Sequence, residues 1–364
     1  MRLLVVIDQL EMGGAGRVCS ILVNGLVARG YDVSICTAVK YHTIQYEIPN
    51  QVLIKEWYDP EPVKHNLFGK FLNICNRRKY YRNAIKEVKP DLIVVFTYNM
   101  YFYVKLWSLF YRKPIIVSDH TSMGRDLGWF ANYIRHKYYA KADAVTILTQ
   151  KDAQLLGDKL PNKIVVYNPV TFDNLNHSVD RNKTVICVGR KDYWKVKGFD
   201  RILEIWSRVA NKYPDWSLEI IGPGKQESEN ILKKIADKYG ILNQVKFTCA
   251  QSEMELIYQS SSIFALPSRV EGFPMVLLEA MSQGCACVTF AMQGAIEEII
   301  SDGIDGDIVE DGDLTSFANK LDLLISDYNK REKYSINARK SVTRFSKTNF
   351  IDKWEQIIQE VLNR

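Results

Sequence analysis

The sequence predicts an α/β protein built from two doubly wound parallel-sheet domains in tandem, facing a central cleft, and three observations predict it. Short apolar runs alternate with helix-length segments along most of the chain. Many of these runs are continuously apolar, as strands buried on both faces require. The alternation breaks at a polar stretch near the middle and then starts afresh. With 364 residues, 47% of them hydrophobic and 25% charged, the chain has room for two ordinary domains and is too apolar to remain disordered.

The elements follow in order. Residues 3–7 form the first apolar run; a glycine cluster (Gly13, Gly14, Gly16) follows, then a helical pattern ending at Gly30 and a second run at 31–37, which together read as strand, loop, helix, strand. Further strands are expected at 91–96, 114–118, 143–148 and 163–167. Residues 168–182 are polar and irregular, so the first domain is placed at 1–174 and the second at 180–345. The second domain opens with a strand at 184–188 and continues with strands at 217–221, 245–249, 263–266, 286–290 and 306–309. The tail, 346–364, reads as a helix with Trp354 as its apolar anchor.

Composition narrows the function. The seven cysteines contain no CxxC pair and lie mostly in apolar stretches, so they read as reduced thiols, with neither a disulfide scaffold nor a zinc module. The first apolar run meets Asp8 at once and is too short for a secretory signal, and no run reaches the length of a membrane span; the expectation is a cytoplasmic protein, or one peripheral on the inner face of the membrane. The net charge of +6 is uneven: residues 1–178 hold 23 Lys and Arg against 15 Asp and Glu, and the rest hold 25 against 27. Such asymmetry points to an anionic surface or partner for the first half. Nucleic acid is disfavoured, because no zinc spacing, recognition helix or RNP-like strand is present.

Three segments carry chemistry. Gly13-Gly14-Ala15-Gly16 opens a helix directly after a strand, where backbone amides can hold a phosphate or admit a sugar closely. It is not a dinucleotide fingerprint, since it lacks GxGxxG and no acidic residue follows the second strand. The second segment is Pro267–Gly284, PSRVEGFPMVLLEAMSQG. Pro274 suits a first helical position, leaving the amides of Gly272, Phe273 and the following residues at the positive end of a helix dipole, where an anion would sit. Glu271 and Glu279 flank that site and can hold hydroxyl groups on either side of a diphosphate; the competing reading makes Glu271 a cap and Glu279 part of a solvated face. Third, Gly189-Arg190 ends a strand and Lys195 and Lys197 precede Gly198, so cations stand where a leaving diphosphate could be neutralised, unless they form a solvated basic turn.

Together these residues resemble the retaining glycosyltransferases of family 4, which have the GT-B fold of two Rossmann-like domains. The resemblance rests on Glu271 to Glu279 in EGFPMVLLE, Gly189-Arg190 with Lys197-Gly198, the Gly13-Gly14-Ala15 loop, Gly294-Ala295 before Glu298-Ile299, and His120 in Ser118-Asp119-His120. It implies transfer of a hexose or N-acetylhexosamine from a nucleoside-diphosphate sugar, UDP favoured and GDP second, to a glycan or lipid-linked saccharide in bacterial lipopolysaccharide, capsule or other surface-glycan synthesis. The same resemblance implies an acceptor-binding first domain, a donor-binding second domain and a terminal helix packed back on the first. It gives the diphosphate to Arg190 and Lys197 (or Lys195), the ribose to Glu279, the donor sugar to Glu271, the donor-lining amides to Gly272, Phe273, Pro274, Met275 and Val276, and the reacting centre to His120. On its residues alone His120 reads as a structural histidine at a strand end.

No metal or other cofactor is expected, and Asp305-Gly306-Asp307 and Asp311-Gly312-Asp313 read as turns. The alternatives are a sugar-nucleotide epimerase or hydrolase on the same fold, and a non-catalytic sugar-nucleotide-binding subunit. Residues 68–89 form an apolar stripe (Phe68, Phe71, Leu72, Cys75, Tyr81, Ile85) beside a basic cluster (Arg77, Arg78, Lys79, Arg82), read either as a core helix with a solvated face or as a dock for an anionic bilayer.

Overall fold

A computed structural model describes residues 1–11, 13–38, 44–56, 67–111, 113–177, 179–292 and 295–364, with the side chains of 67–74, 78 and 106–111 outside the described set. Gly294 and the side chains of Phe68, Phe71, Leu72 and Arg78 therefore lie outside the described residues. The chain divides into two compact units, Met1–Asn168 with Lys347–Arg364, and Pro169–Ser346. Residues just past Asn168 are tied to the second unit: the Val170 amide donates to the Phe345 carbonyl (2.8 Å) and the Leu175 amide to that of Ser282 (3.0 Å). The division consequently falls at the start of the polar stretch and not at 174–180.

The first unit holds β1 (Arg2–Ile7), β2 (Asp32–Thr37), β3 (Leu53–Glu56), β4 (Leu92–Phe96), β5 (Ile115–Ser118), β6 (Ala144–Ile147) and β7 (Lys163–Val165) in one parallel sheet of order β3-β2-β1-β4-β5-β6-β7. Its helices are α1 (Gly14–Ala28), α2 (Leu67–Val88), α3 (Tyr98–Tyr111), α4 (Trp129–Tyr133) and α5 (Gln150–Leu156). The continuously apolar runs of β4 and β5 are wholly buried, as strands covered on both faces must be. The edge strand β3 is not foreseen: Leu53-Ile54-Lys55-Glu56 is short and half-exposed, and its charged half hides the signal. Also unforeseen is a π-helical turn, Ile134–Tyr138, that extends α4.

The second unit repeats the plan with β8 (Asn182–Val188), β9 (Ser217–Ile221), β10 (Val245–Thr248), β11 (Ser261–Leu266), β12 (Ala286–Phe290) and β13 (Asp307–Val309), all parallel in the order β10-β9-β8-β11-β12-β13. Helices α6 (Phe199–Ser207), α7 (Gln226–Lys238), α8 (Met254–Ser260), α9 (Met275–Ser282), α10 (Leu314–Ser326) and α11 (Tyr328–Val342) cover it. The strongly amphipathic α6 drives Phe199, Ile202, Leu203, Ile205 and Trp206 into a core shared with Leu218, Val288 and Phe317. Asp311-Gly312-Asp313 turns the chain into α10, which Asp313 caps through the Ser316 amide (2.9 Å). Residues 303–305 form the turn expected before β13, the Gly303 amide donating to the Gly306 carbonyl (2.8 Å), while the two aspartates of this motif are not solvated turn residues. Both are fully buried, and Asp307 anchors β13 by accepting from Lys320 (2.9 Å) and the Tyr334 hydroxyl (3.0 Å).

The last helix, α12 (Lys347–Leu362), belongs to the first unit and packs on α1. Gly25 is what lets the two helices close: a Cβ there would lie 2.4 Å from the Ile351 side chain. Arg29 pairs with Glu355 (2.6 Å) and with Asp352 at the rim of this contact, and Trp354 is buried beneath it.

In both sheets the strand order reverses once, between β1 and β4 and between β8 and β11. Consecutive crossovers leave in opposite directions there, so the loops at the carboxyl ends of these strands open a crevice, the usual ligand position of open α/β sheets.

Candidate donor and acceptor sites

In the second unit, β8 hands over to Gly189-Arg190 and β11 to Pro267–Gly272, the two loops of its switch point. They are locked together through the backbone. The Arg269 amide donates to the Val196 carbonyl (2.8 Å), and Gly198, at φ +67°, sits where a Cβ would be 1.9 Å from the Pro267 carbonyl oxygen. This contact delivers Lys197 to Glu271, with Nζ 2.8 Å from Oε1, which also accepts the Ser268 hydroxyl at 2.8 Å. The Lys197 stem passes over Gly189, where a Cβ would come within 3.2 Å of it. Both charged groups keep some exposure (24% and 12% of the side chain), so the pair is accessible to a ligand while working in a dielectric below that of water.

Helix α9 starts beside this pair. Pro274 is its N-cap and not its first helical residue: the proline is extended (ψ 102°), and its carbonyl accepts from the Leu277 amide (3.1 Å). No side chain caps α9 and no acidic residue stands in its first turn, whereas Thr149, Asp313 and Asp327 cap α5, α10 and α11. The starts of α1, α6, α7 and α8 also lack a side-chain cap, so what sets α9 apart is the Lys197–Glu271 pair beside a positive end that can receive an anion. Gly272 and Val276 are half-exposed; Phe273, Pro274 and Met275 are buried, with Phe273 packed edge-on to Phe345 at 5.5 Å.

Glu279, one and a half turns on, is 2% exposed, which removes the solvated-face reading. Its carboxylate accepts the hydroxyls of Thr171 (2.8 Å) and Tyr258 (3.1 Å). Arg190 is exposed, its guanidinium 5.7 Å from the Tyr193 ring. Lys195 is not gathered with Glu271: its ammonium lies over the Trp194 ring (5.2 Å), and it lines a separate groove with Asp200, Tyr239 and Leu314. Sequence reasoning missed Lys191, which is 1% exposed and carries its ammonium 2.6 Å from Glu229 and 3.4 Å from the Thr248 carbonyl, tying the β8 loop to α7. Lys191 is the main cause that holds Glu229 below the usual carboxylate range.

In the first unit, His120 follows β5. Its ring stacks on Phe96 (5.0 Å, 6°) and its Nε2 lies 2.9 Å from Ser118 Oγ, itself the acceptor of the Thr146 hydroxyl at 3.0 Å. Burial pushes the imidazole down to about 4, against the pull of Asp119, so it is neutral at pH 7. The loop beyond it is held by a buried ion pair that the sequence did not announce, because Arg135 stands in a basic run with nothing to mark it. Arg135 Nε is 2.8 Å from Asp119 Oδ2, and its NH2 donates to the carbonyls of Thr121 (2.6 Å) and Ser122 (3.0 Å). Gly13 and Gly14, at the head of α1, are exposed; the Gly13 amide donates to the Tyr46 hydroxyl (2.7 Å), which donates back to the Gly13 carbonyl (2.9 Å).

Comparisons with known proteins agree across both units. The family described as Glycosyl transferases group 1 matches residues 172–341, and Glycosyltransferase Family 4 matches residues 12–174. The chain is similar to an uncharacterized glycosyltransferase of Haemophilus influenzae, 28% identical over 95% of this chain and 96% of that one. A second relative is the α-1,4-N-acetyl-D-galactosaminyltransferase of Campylobacter jejuni acting on a diphospho-undecaprenol-linked saccharide, 25% identical over 100% and 99%. Among solved structures, the apo form of the lipopolysaccharide outer core galactosyltransferase WaaB superposes with a TM-score of 0.78 at 19% identity, covering 99% of each chain. The Anabaena protein HepE, bound to UDP and glucose, superposes at 0.79 with 17% identity, covering 99% of this chain and 100% of that one.

Proposed function

Because the chain belongs to family 4 of the GT-B glycosyltransferases, we propose that it moves a hexose or N-acetylhexosamine from a nucleoside-diphosphate sugar, UDP before GDP, to a saccharide or lipid-linked saccharide acceptor with retention at the anomeric carbon, in the synthesis of a bacterial surface glycan. The observation that carries this reading is the uncapped start of α9 beside the Lys197–Glu271 pair at the switch point of the second sheet. A diphosphate seated there receives the helix dipole, the Lys197 ammonium and the exposed Arg190 guanidinium, three positive groups aimed at charge that grows as the glycosidic bond breaks. These supply the neutralisation without a metal. Lys197 shares its charge between Glu271 and the incoming phosphate, which frees Glu271 Oε2 for a donor-sugar hydroxyl. Glu279 takes the ribose hydroxyls in exchange for that of Thr171. Lys195 has no part in this, since its ammonium rests on Trp194. His120 is assigned to the reacting centre, where a neutral imidazole offers one donor and one acceptor to hydroxyl groups.

The UDP and lipid-linked assignments are supported by the UDP in the HepE structure and by the undecaprenol-linked acceptor of the Campylobacter relative. Thermal stabilisation by UDP, GDP and ADP with chelator present tests the donor site. A ligand at 100 times its Kd adds about 2.7 kcal/mol. The expected result is stabilisation by UDP that shrinks in Arg190→Ala and Lys197→Ala; stabilisation that appears only when a divalent metal is added removes the metal-free reading.

Membrane contact belongs to the first unit in this proposal. No helix among the described residues is long and apolar enough to cross a bilayer. In the described part of α2, Tyr81 and Ile85 are spent on the core while Lys79, Arg82 and Lys86 are exposed, so these three cations are placed to attract anionic lipid. Helix α4 offers the interfacial aromatics, with Trp129 81% and Tyr133 55% exposed. Co-sedimentation with anionic liposomes at low salt is expected to fall on Trp129→Ala, and its absence in the unmodified protein sinks the idea.

A further inference from the structure

The switch point of the first sheet holds a group that neither the glycine loop nor His120 accounts for. Strands β1, β4 and β5 are neighbours, so the residues that follow them stand side by side at the carboxyl edge: Asp8 after β1, Thr97 after β4, and Asp119-His120 after β5. Asp119 is consumed by Arg135, Tyr139 and the Thr121 amide. Asp8 is not. It is half-buried, and its carboxylate has a single side-chain partner among the described residues, the Thr97 hydroxyl at a long 3.4 Å. An ionised carboxylate has about four acceptor sites, and those of Asp8 not taken by Thr97 are open at the carboxyl edge of the sheet, where a ligand's hydroxyl can replace water. Burial also holds the Asp8 carboxyl above the usual range, with Thr97 and the charge of Arg77 pulling the other way.

Thr97 supplies an independent sign. Its φ is +77°, a left-handed conformation that a β-branched residue avoids. Its amide donates to the Ser118 carbonyl (3.2 Å) and its carbonyl accepts the Tyr101 amide (3.2 Å), so the strand-to-helix turn is pinned from both sides. A glycine would satisfy this turn without strain, and what threonine adds is its hydroxyl, set against Asp8. Strain retained at a strand's carboxyl edge is characteristic of sites where a side chain must be presented to a ligand. Completing the edge, His120 Nδ1 has no hydrogen-bond partner of good geometry among the described residues, although the Asn168 side chain lies near enough to favour its charged form.

We propose that Asp8 and Thr97 form the acceptor subsite of the first unit, gripping adjacent hydroxyls of the saccharide to be extended, with Asp8 accepting from one hydroxyl and Thr97 Oγ1 serving a second. This rests on the glycosyltransferase reading and names the residues that take its second substrate. The ligand class follows from the donor set: a carboxylate and a hydroxyl within 3.4 Å match vicinal hydroxyls of a neutral sugar and reject an anionic one.

Saturation-transfer NMR on the full chain tests it, with UDP in excess so that the donor site is filled, and with three probes: the methyl α-glycosides of glucose, galactose and N-acetylgalactosamine. At least one glycoside is expected to bind. Its Kd should rise about tenfold or more in Asp8→Asn, as for loss of a hydrogen bond to a charged group. Thr97→Gly should weaken the glycoside while raising the melting temperature, because the strain goes with the hydroxyl; a merely structural Thr97 would leave binding untouched. The proposal is overturned if no glycoside binds the unmodified protein, if UDP displaces the glycoside, or if both variants bind it as before. UDP stabilisation should be the same in Asp8→Asn as in the unmodified protein, and a chain that binds the glycoside but no nucleotide strikes the donor-site reading alone.

Discussion

His120 shows how one residue's surroundings set its chemistry. A surface imidazole with an ordinary pKa would be partly charged near neutrality, but burial against Phe96 lowers this one from 6.5 to about 4. The folded state therefore binds its proton less readily than the unfolded chain. That contribution to stability is fully present above the unfolded value of 6.5 and is lost as pH falls through the window from 6.5 to about 4. The size is on the order of 3 kcal/mol for this shift. Relative to His120→Gln, the urea-unfolding free energy of the unmodified protein is expected to drop across that window, and parallel curves would show that the ring titrates freely. At the same scale, Lys195 and Lys197 are equivalent in sequence, and only the bond to Glu271 and the seat on Trp194 tell them apart.

At the scale of elements, α9 is shaped at both ends for different reasons. Its start is uncapped, while its end is closed by a complete Schellman motif, the Cys285 amide donating to the Ala280 carbonyl (2.9 Å) and the Gly284 amide to that of Met281 (3.1 Å). Gly284 has φ +75°, and a Cβ there would lie 2.6 Å from Ser335 Oγ and 2.8 Å from the Arg181 guanidinium. Gly284→Ala is expected to cost about 2 kcal/mol or more in chemical unfolding; a loss under about 0.5 kcal/mol would mean that α11 yields to the new methyl. The strands at the sheet centres were legible because their apolar runs are unbroken, as in Leu92–Phe96. Edge strand β3 and the π-turn at Ile134–Tyr138 were not, since the first is half charged and the second differs from an α-helix only in its hydrogen bonding.

For the whole molecule, the chain's end is part of its first unit. Helix α12 buries Phe350, Ile351, Trp354, Ile357, Ile358 and Val361, and each large apolar side chain so placed contributes about 1.5–3 kcal/mol. Truncation after Ser346 is therefore expected to abolish cooperative unfolding of the first unit while leaving UDP stabilisation of the second. Retention of both transitions would show that α12 is dispensable for folding. The positive balance of the first half, noticed in composition, is carried at the surface by residues such as Lys79, Arg82, Lys86 and Lys137.

The sequence by itself determined the two-sheet plan and the repeat of that plan in each half, and it marked the segments around Glu271 and Lys197, because strand burial, helix periodicity and glycine placement are local signals; His120 was marked only by the family resemblance. Only the tertiary structure decided which of those residues meet. It joined Lys197 to Glu271 across 74 positions, sealed Glu279 under Thr171 and Tyr258, and set Asp8 beside Thr97 from 89 positions away. Such pairings follow from strand order in a parallel sheet, where neighbours in space are separated by whole crossover helices and leave no spacing to read.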